Sequence, residues 1–247
     1  MLIVRGIQVV TVTGPGTGPK VGITVGFGEH GRELISSEIG MRLLAMVCAP
    51  WVERASVKLP AELAAHHALA LRGLQQAQRE LSAVTALLDR VVLKLIPLEN
   101  PNGRKMVEGG QLCHRMNGRK VDINRNFDIY FGTHPPEYLP SEEYEGTAAF
   151  SEPEARITRD AAQSLLKENG GPGLHAFVAI HAGIKEMYVP YDYKLEEAKG
   201  EDLHGVLDKI NRMHCRCRTG SAAKIGGYKA FGTACARYAA VAAVWCH

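Results

Sequence analysis

The sequence predicts an α/β fold: a mixed, largely parallel central sheet with helices on both faces. Three observations carry this. Short apolar, β-branched runs recur at residues 21–25, 91–96 and 176–180. Stretches whose apolar residues repeat at helical spacing lie between them, as in βαβ units. The 247 residues, 46% hydrophobic and 22% charged, suffice for one domain with a sizeable core.

Taken in order, Ile3-Val4 and Gln8-Val9-Val10-Thr11-Val12 read as a short strand, and the Gly/Pro-rich stretch 14–19 as a loop. Residues 21–25 form a buried strand that turns through glycines into a helix marked by Leu34, Ile35, Ile39, Leu43 and Leu44, with Pro50 ending the pattern. Pro60 opens a second helical stretch that holds His66-His67 and runs towards Leu88. A strand at 91–96 stops at Pro97, and Asn100-Pro101-Asn102-Gly103 reads as tight turns. His134-Pro135-Pro136 begins a loop, and Ser151 with Glu154 reads as a capping box opening a helix to about Glu168. The strand at 176–180 follows, then a charged helix from about Glu196 to Met213 and a Gly/Ala-rich loop before Tyr228. No internal repeat or linker divides the chain, so residues 1–247 read as a single domain.

The corner Gly28-Glu29-His30-Gly31-Arg32-Glu33 carries the strongest chemistry. Positions i and i+3 of a helical turn share a face, so His30 and Glu33 can grip one ion. Zinc accepts such an N/O pair at about 2.0–2.2 Å and takes a further protein ligand, keeping a position open for water. The bland alternative is a solvated pair in a helix's first turn. His181, at the carboxyl end of the strand 176–180, is a candidate third ligand, although strand-end histidines are often structural. In parallel sheets sites form beyond the carboxyl ends of strands, where both pieces fall. Arg104, Lys105, Arg115, Arg119, Lys120 and Arg125 cluster around Asn124. A solvated loop and an anion site both fit this cluster. The planar Arg fork matches a carboxylate, and Asn124 adds an amide donor.

The net charge of +3 does not suggest nucleic acid, and no Lys/Arg run suits a membrane surface. No apolar run approaches the ~18 residues of a spanning helix. No signal peptide is visible at Met1, and no compartment is assigned. Six scattered cysteines do not form a disulfide scaffold; they read as ordinary thiols with at most one bridged pair.

Together, the His-x-Arg-Glu corner, the Asn-Pro-x-Gly run, Asp122-Ile123-Asn124-Arg125-Asn126 and the strand-end His181 resemble the zinc metallocarboxypeptidases of the carboxypeptidase A type, over about residues 21–234. The resemblance implies a carboxypeptidase-like (phosphorylase/hydrolase-like) fold, a Zn²⁺ held by His30, Glu33 and His181, and hydrolysis of the C-terminal bond of peptides or proteins. It implies that Arg115 polarises the scissile carbonyl, that Asn124 and Arg125 take the terminal carboxylate, that Arg32 lines the channel and that Tyr228 closes over the peptide.

One departure matters. The family's general-base glutamate lies on a strand shortly after the mobile tyrosine, and none of the 19 residues after Tyr228 is Asp or Glu. The expectation is a chain whose C-terminal strand or strands are missing, or a true loss of the base, with impaired turnover. The position setting side-chain preference aligns with Cys235, which gives no support for basic C-terminal residues. The competing readings are a pseudo-peptidase that binds zinc or peptide ends, and a zinc amidohydrolase; the Asn-Pro-x-Gly and Asn-Arg-Asn runs argue against the latter.

Overall fold

A computed structural model describes residues 6–55, 83–133, 141–183, 185–195, 205, 208–212, 216–234 and 243–245. His66-His67, Pro60, the loop at 134–140, Cys235 and most of the predicted helix 196–213 lie outside the described residues.

Seven strands form one sheet in the order β1-β3-β2-β4-β7-β5-β6. They are β1 (Val10–Thr13), β2 (Val21–Phe27), β3 (Val91–Ile96), β4 (Leu174–His181), β5 (Glu186–Tyr188), β6 (Arg218–Gly220) and β7 (Ala243–Trp245). The pairs β3/β2, β2/β4, β4/β7 and β5/β6 run parallel; β1/β3 and β5/β7 run antiparallel. The sheet is therefore mixed and largely parallel, as the sequence predicts.

Side chains alternate across a strand, and the two faces have different partners. Val25 and Phe27 of β2 pack with Ile39, Leu43, Leu44 and Val47 of helix α1 (Leu34–Ala55). On the other face, Phe177 and Ala179 of β4 pack with Ala155 and Ala162 of helix α3 (Pro153–Gln163). Helices thus cover both faces. From β2 the chain reaches β3 on one side and β4 on the other, which places the carboxyl end of β2 at a topological switch point.

Three local expectations are corrected. Helix α1 passes through Pro50, because one missing hydrogen bond can be absorbed as a kink in a long helix. Asn100-Pro101 opens helix α2 (Pro101–Glu108) rather than a turn: Asn100 Oδ1 accepts from Gly103 N at 2.7 Å, and Pro101 stands where no N–H is needed. The capping box does not form, since Ser151 hydrogen-bonds Glu152 while Glu154 accepts from Asn117.

Candidate metal centre

The centre lies at the switch point. Gly28, with φ +65°, turns the chain out of β2; a Cβ there would press on Ser37 Oγ and Leu98. Asn100 holds the corner by donating to Glu29 O at 3.1 Å, and Gly31 N donates to Arg115 O at 2.9 Å. Parallel pairing carries β4 alongside β2 and brings His181 level with this corner.

His30, Glu33 and His181 are brought together, each no more than 6% exposed. Glu33 Oε1 lies 2.6 Å from His30 Nδ1, and Glu33 Oε2 lies 3.0 Å from His181 Nδ1. The two Nδ1 atoms are 3.3 Å apart. Ligands about 2.0–2.2 Å from zinc in a tetrahedron stand about 3.3–3.6 Å from one another, so the imidazole pair fits that ion. Burial opposes ionisation of Glu33, yet His30 and His181 hold its carboxyl well below the usual range. Burial likewise opposes charge on His181, but Glu33 and Glu29 push it up to about 10. A strongly anionic pocket that draws protons onto its imidazoles is suited to a cation.

Arg115 stands beside this group, with Nη1 3.3 Å from His30 Nδ1 and Nε donating to Asp122 Oδ2 at 2.9 Å. A pocket of about 200 Å³ opens from the centre and is lined by His30, Arg115, Asn124, Arg125, Glu143, His181, Asp192 and Tyr228 among others. It is smaller than the roughly 300–1,000 Å³ of drug-sized ligand sites, so it suits a chain end. Arg125 is buried: Nη1 donates to Asn124 O at 2.9 Å, Nη2 lies 3.1 Å from Glu143, and Nε has no hydrogen-bond partner among the described residues. Asn124 Oδ1 accepts from Ala234 N at 3.2 Å. Tyr228 follows Gly227 and meets Tyr188 edge-on at 6.1 Å. Arg32 does not line the pocket; its guanidinium pairs with Glu142 at 2.8 Å and donates to Cys113 O.

Four residues escaped the sequence reading. Asp122 Oδ1 lies 3.2 Å from His30 Nε2; it stands in the motif read only for Asn124 and Arg125. Burial opposes its ionisation, but Arg115 and His30 hold its carboxyl far below the usual range. Glu143 pairs with Arg125, and Glu29 lies against His181. Asp192, 7% exposed, accepts from Thr233 Oγ1 at 2.7 Å, while its Oδ1 has no partner among the described residues. Burial pushes Asp192 up to about 6. No local pattern marks these acids, because each acts on a residue distant in sequence.

The zinc carboxypeptidase family model matches residues 4–239. The chain belongs to the zinc carboxypeptidase family. Among curated relatives, human carboxypeptidase A1 is 31% identical over 145 residues, 53% of this chain and 31% of that protein. Mouse carboxypeptidase A2 is 30% identical over 137 residues, 52% of this chain and 31% of that one. The match thus spans under a third of each relative. Two solved structures show the same fold. Bovine thrombin-activatable fibrinolysis inhibitor, in complex with tick carboxypeptidase inhibitor, superposes with a TM-score of 0.62 at 19% identity, covering 97% of this chain and 74% of that one. Carboxypeptidase A of Helicoverpa armigera gives 0.63 at 18% identity, covering 97% and 59%. Within this zinc carboxypeptidase, β7 runs parallel to β4 and ends with Trp245 level with His181.

Proposed function

We propose that this chain holds Zn²⁺ through His30, Glu33 and His181 and binds the C-terminal end of a peptide or protein, as a metallocarboxypeptidase does. The observation that carries this is the convergence of both Nδ1 atoms and the Glu33 carboxylate beside a pocket that contains buried Arg125. Zinc, when bound, supplies Lewis acidity and lowers the pKa of its water. Arg125 and Asn124 take the terminal carboxylate, which is what sets an exopeptidase apart. Arg115, held by Asp122, faces charge developing on the scissile carbonyl oxygen. Tyr228 covers the bound end. Asp192, with a free carboxylate oxygen in the pocket wall, favours a cationic C-terminal side chain; this replaces the neutral preference drawn from Cys235.

For turnover we infer a slow enzyme. Residues 229–247 contain no Asp or Glu, and the strand position level with His181 is Trp245. General-base assistance contributes about 10²–10⁴-fold. The second reading, a zinc- and peptide-end-binding pseudo-peptidase, draws on the same fact. The test pairs zinc content with binding and cleavage of a blocked dipeptide bearing a free carboxyl end or its C-terminal amide. One zinc per chain and selective binding of the free acid are expected. Equal binding of acid and amide would refute the proposal. Restored cleavage on adding a Glu-bearing strand would favour the enzyme over the pseudo-peptidase.

A further inference from the structure

Each imidazole of the centre has a carboxylate at its far nitrogen as well as Glu33 at its near one. For His30 the far partner is Asp122, which Arg115 neutralises at 2.7 Å. For His181 it is Glu29: Oε2 lies 3.2 Å from His181 Nε2, and Glu29 is only 3% exposed. No lysine or arginine pairs with Glu29 among the described residues. Its nearest acidic neighbour, Glu99, is pushed well up by burial and by Glu29 itself. The Glu99 carboxyl occupies the space above Gly26, where a Cβ would collide with it.

We propose that Glu29 is a positioning residue for the metal: it takes the Nε2 proton of His181 and so turns the Nδ1 lone pair toward Glu33 and His30. A neutral imidazole carries one proton, and a carboxylate at one nitrogen fixes that proton there and leaves the other nitrogen free to coordinate. Glu29, His30 and His181 can each offer one donor atom within 4.8 Å of the others. Glu33 nevertheless bridges both Nδ1 atoms, whereas Glu29 meets the opposite nitrogen of the His181 ring. This assigns Glu29 the place behind the ring rather than on the ion. A buried carboxylate with no cationic side chain is costly to the metal-free fold. Its counter-charge is His181 together with the ion that His181 would hold.

The inference rests on the zinc reading above, and one experiment separates the two. The whole chain, H181A, E29Q and E29D are titrated with zinc against a chromogenic chelator at pH 7.5, and the zinc-free proteins are melted in parallel. The parent should bind one zinc and H181A none. E29Q should bind about 10–100-fold more weakly, while its zinc-free form melts no lower than the parent. E29D keeps the charge but draws it back from Nε2, and should also lose affinity by at least about fivefold. A parent that binds no zinc overturns the zinc reading and this inference with it. A parent that binds zinc, with E29Q or E29D within about twofold of it, overturns this inference alone. A loss beyond about 10³-fold also overturns it, because Glu29 would then be a ligand.

Discussion

Asp192→Asn tests whether the pocket acid is held at a cost to the fold. Asp192 is 7% exposed; its Oδ2 accepts from Thr233 and its Oδ1 has no partner among the described residues. Burial raises its pKa from an ordinary 3.8 to about 6. That rise corresponds to about 3 kcal/mol against the ionised form. Between these values the folded state binds more protons than the unfolded one, so stability falls as pH rises. The contribution is whole below about pH 3.8 and is lost as pH passes through about 6. The Asn amide keeps an oxygen for Thr233 but leaves N–H groups without acceptors, a cost of about 1–2 kcal/mol at every pH. The variant should therefore be more stable than the parent by about 1–2 kcal/mol at pH 7.5, or about 2–8 °C in Tm. At pH 4.5 the advantage should vanish or reverse. The difference between the two pH values, about 2 kcal/mol, is independent of the amide cost. Urea unfolding at both pH values measures it. An equal effect at pH 4.5 and 7.5 would refute the account of Asp192.

The remaining predictions concern binding and packing. Arg125→Met should weaken binding of a peptide with a free C-terminal carboxylate by about 10–100-fold, the worth of a charge-assisted bond, and leave the amide unchanged; calorimetry with both ligands checks this. Glu143→Gln should tighten the same free acid by about two- to fivefold, because it frees Arg125 from a partly exposed partner 3.1 Å away; an unchanged or weaker Kd would show that Glu143 does not compete. Asp192→Asn should also narrow any preference for Lys- or Arg-ended peptides over Leu-ended ones, read as a ratio of Kd values. Gly26→Ala should destabilise by about 1–3 kcal/mol, since its Cβ would fall on the Glu99 carboxyl; Glu99→Ala in the same chain should recover most of the loss.

What could be read in the sequence follows from how far each interaction reaches. The strands at 21–27, 91–96 and 174–181 were legible because burial on both faces writes a continuous apolar run. His30 and Glu33 were legible because three residues on a turn share a face. Asp122 acts on His30 across 92 positions, and Glu33 reaches His181 across 148. Only the parallel register of β2 and β4 turns those separations into contacts. The misreadings were local conflicts decided by tertiary partners. Asn100-Pro101 carries turn chemistry and N-cap chemistry alike, and the cap won because Asn100 also pins Glu29 O and Met116 O. Ser151 and Glu154 fit a capping box, yet Asn117 claims both Glu152 and Glu154 through a single amide nitrogen. Arg32 sits inside the most legible motif of the chain and still leaves the pocket, because Glu142 offers it an ion pair from a loop 110 positions away. The acids that shape this centre were thus hidden for one reason. A carboxylate's role is set by the group it faces, and here those groups arrive from other strands and loops.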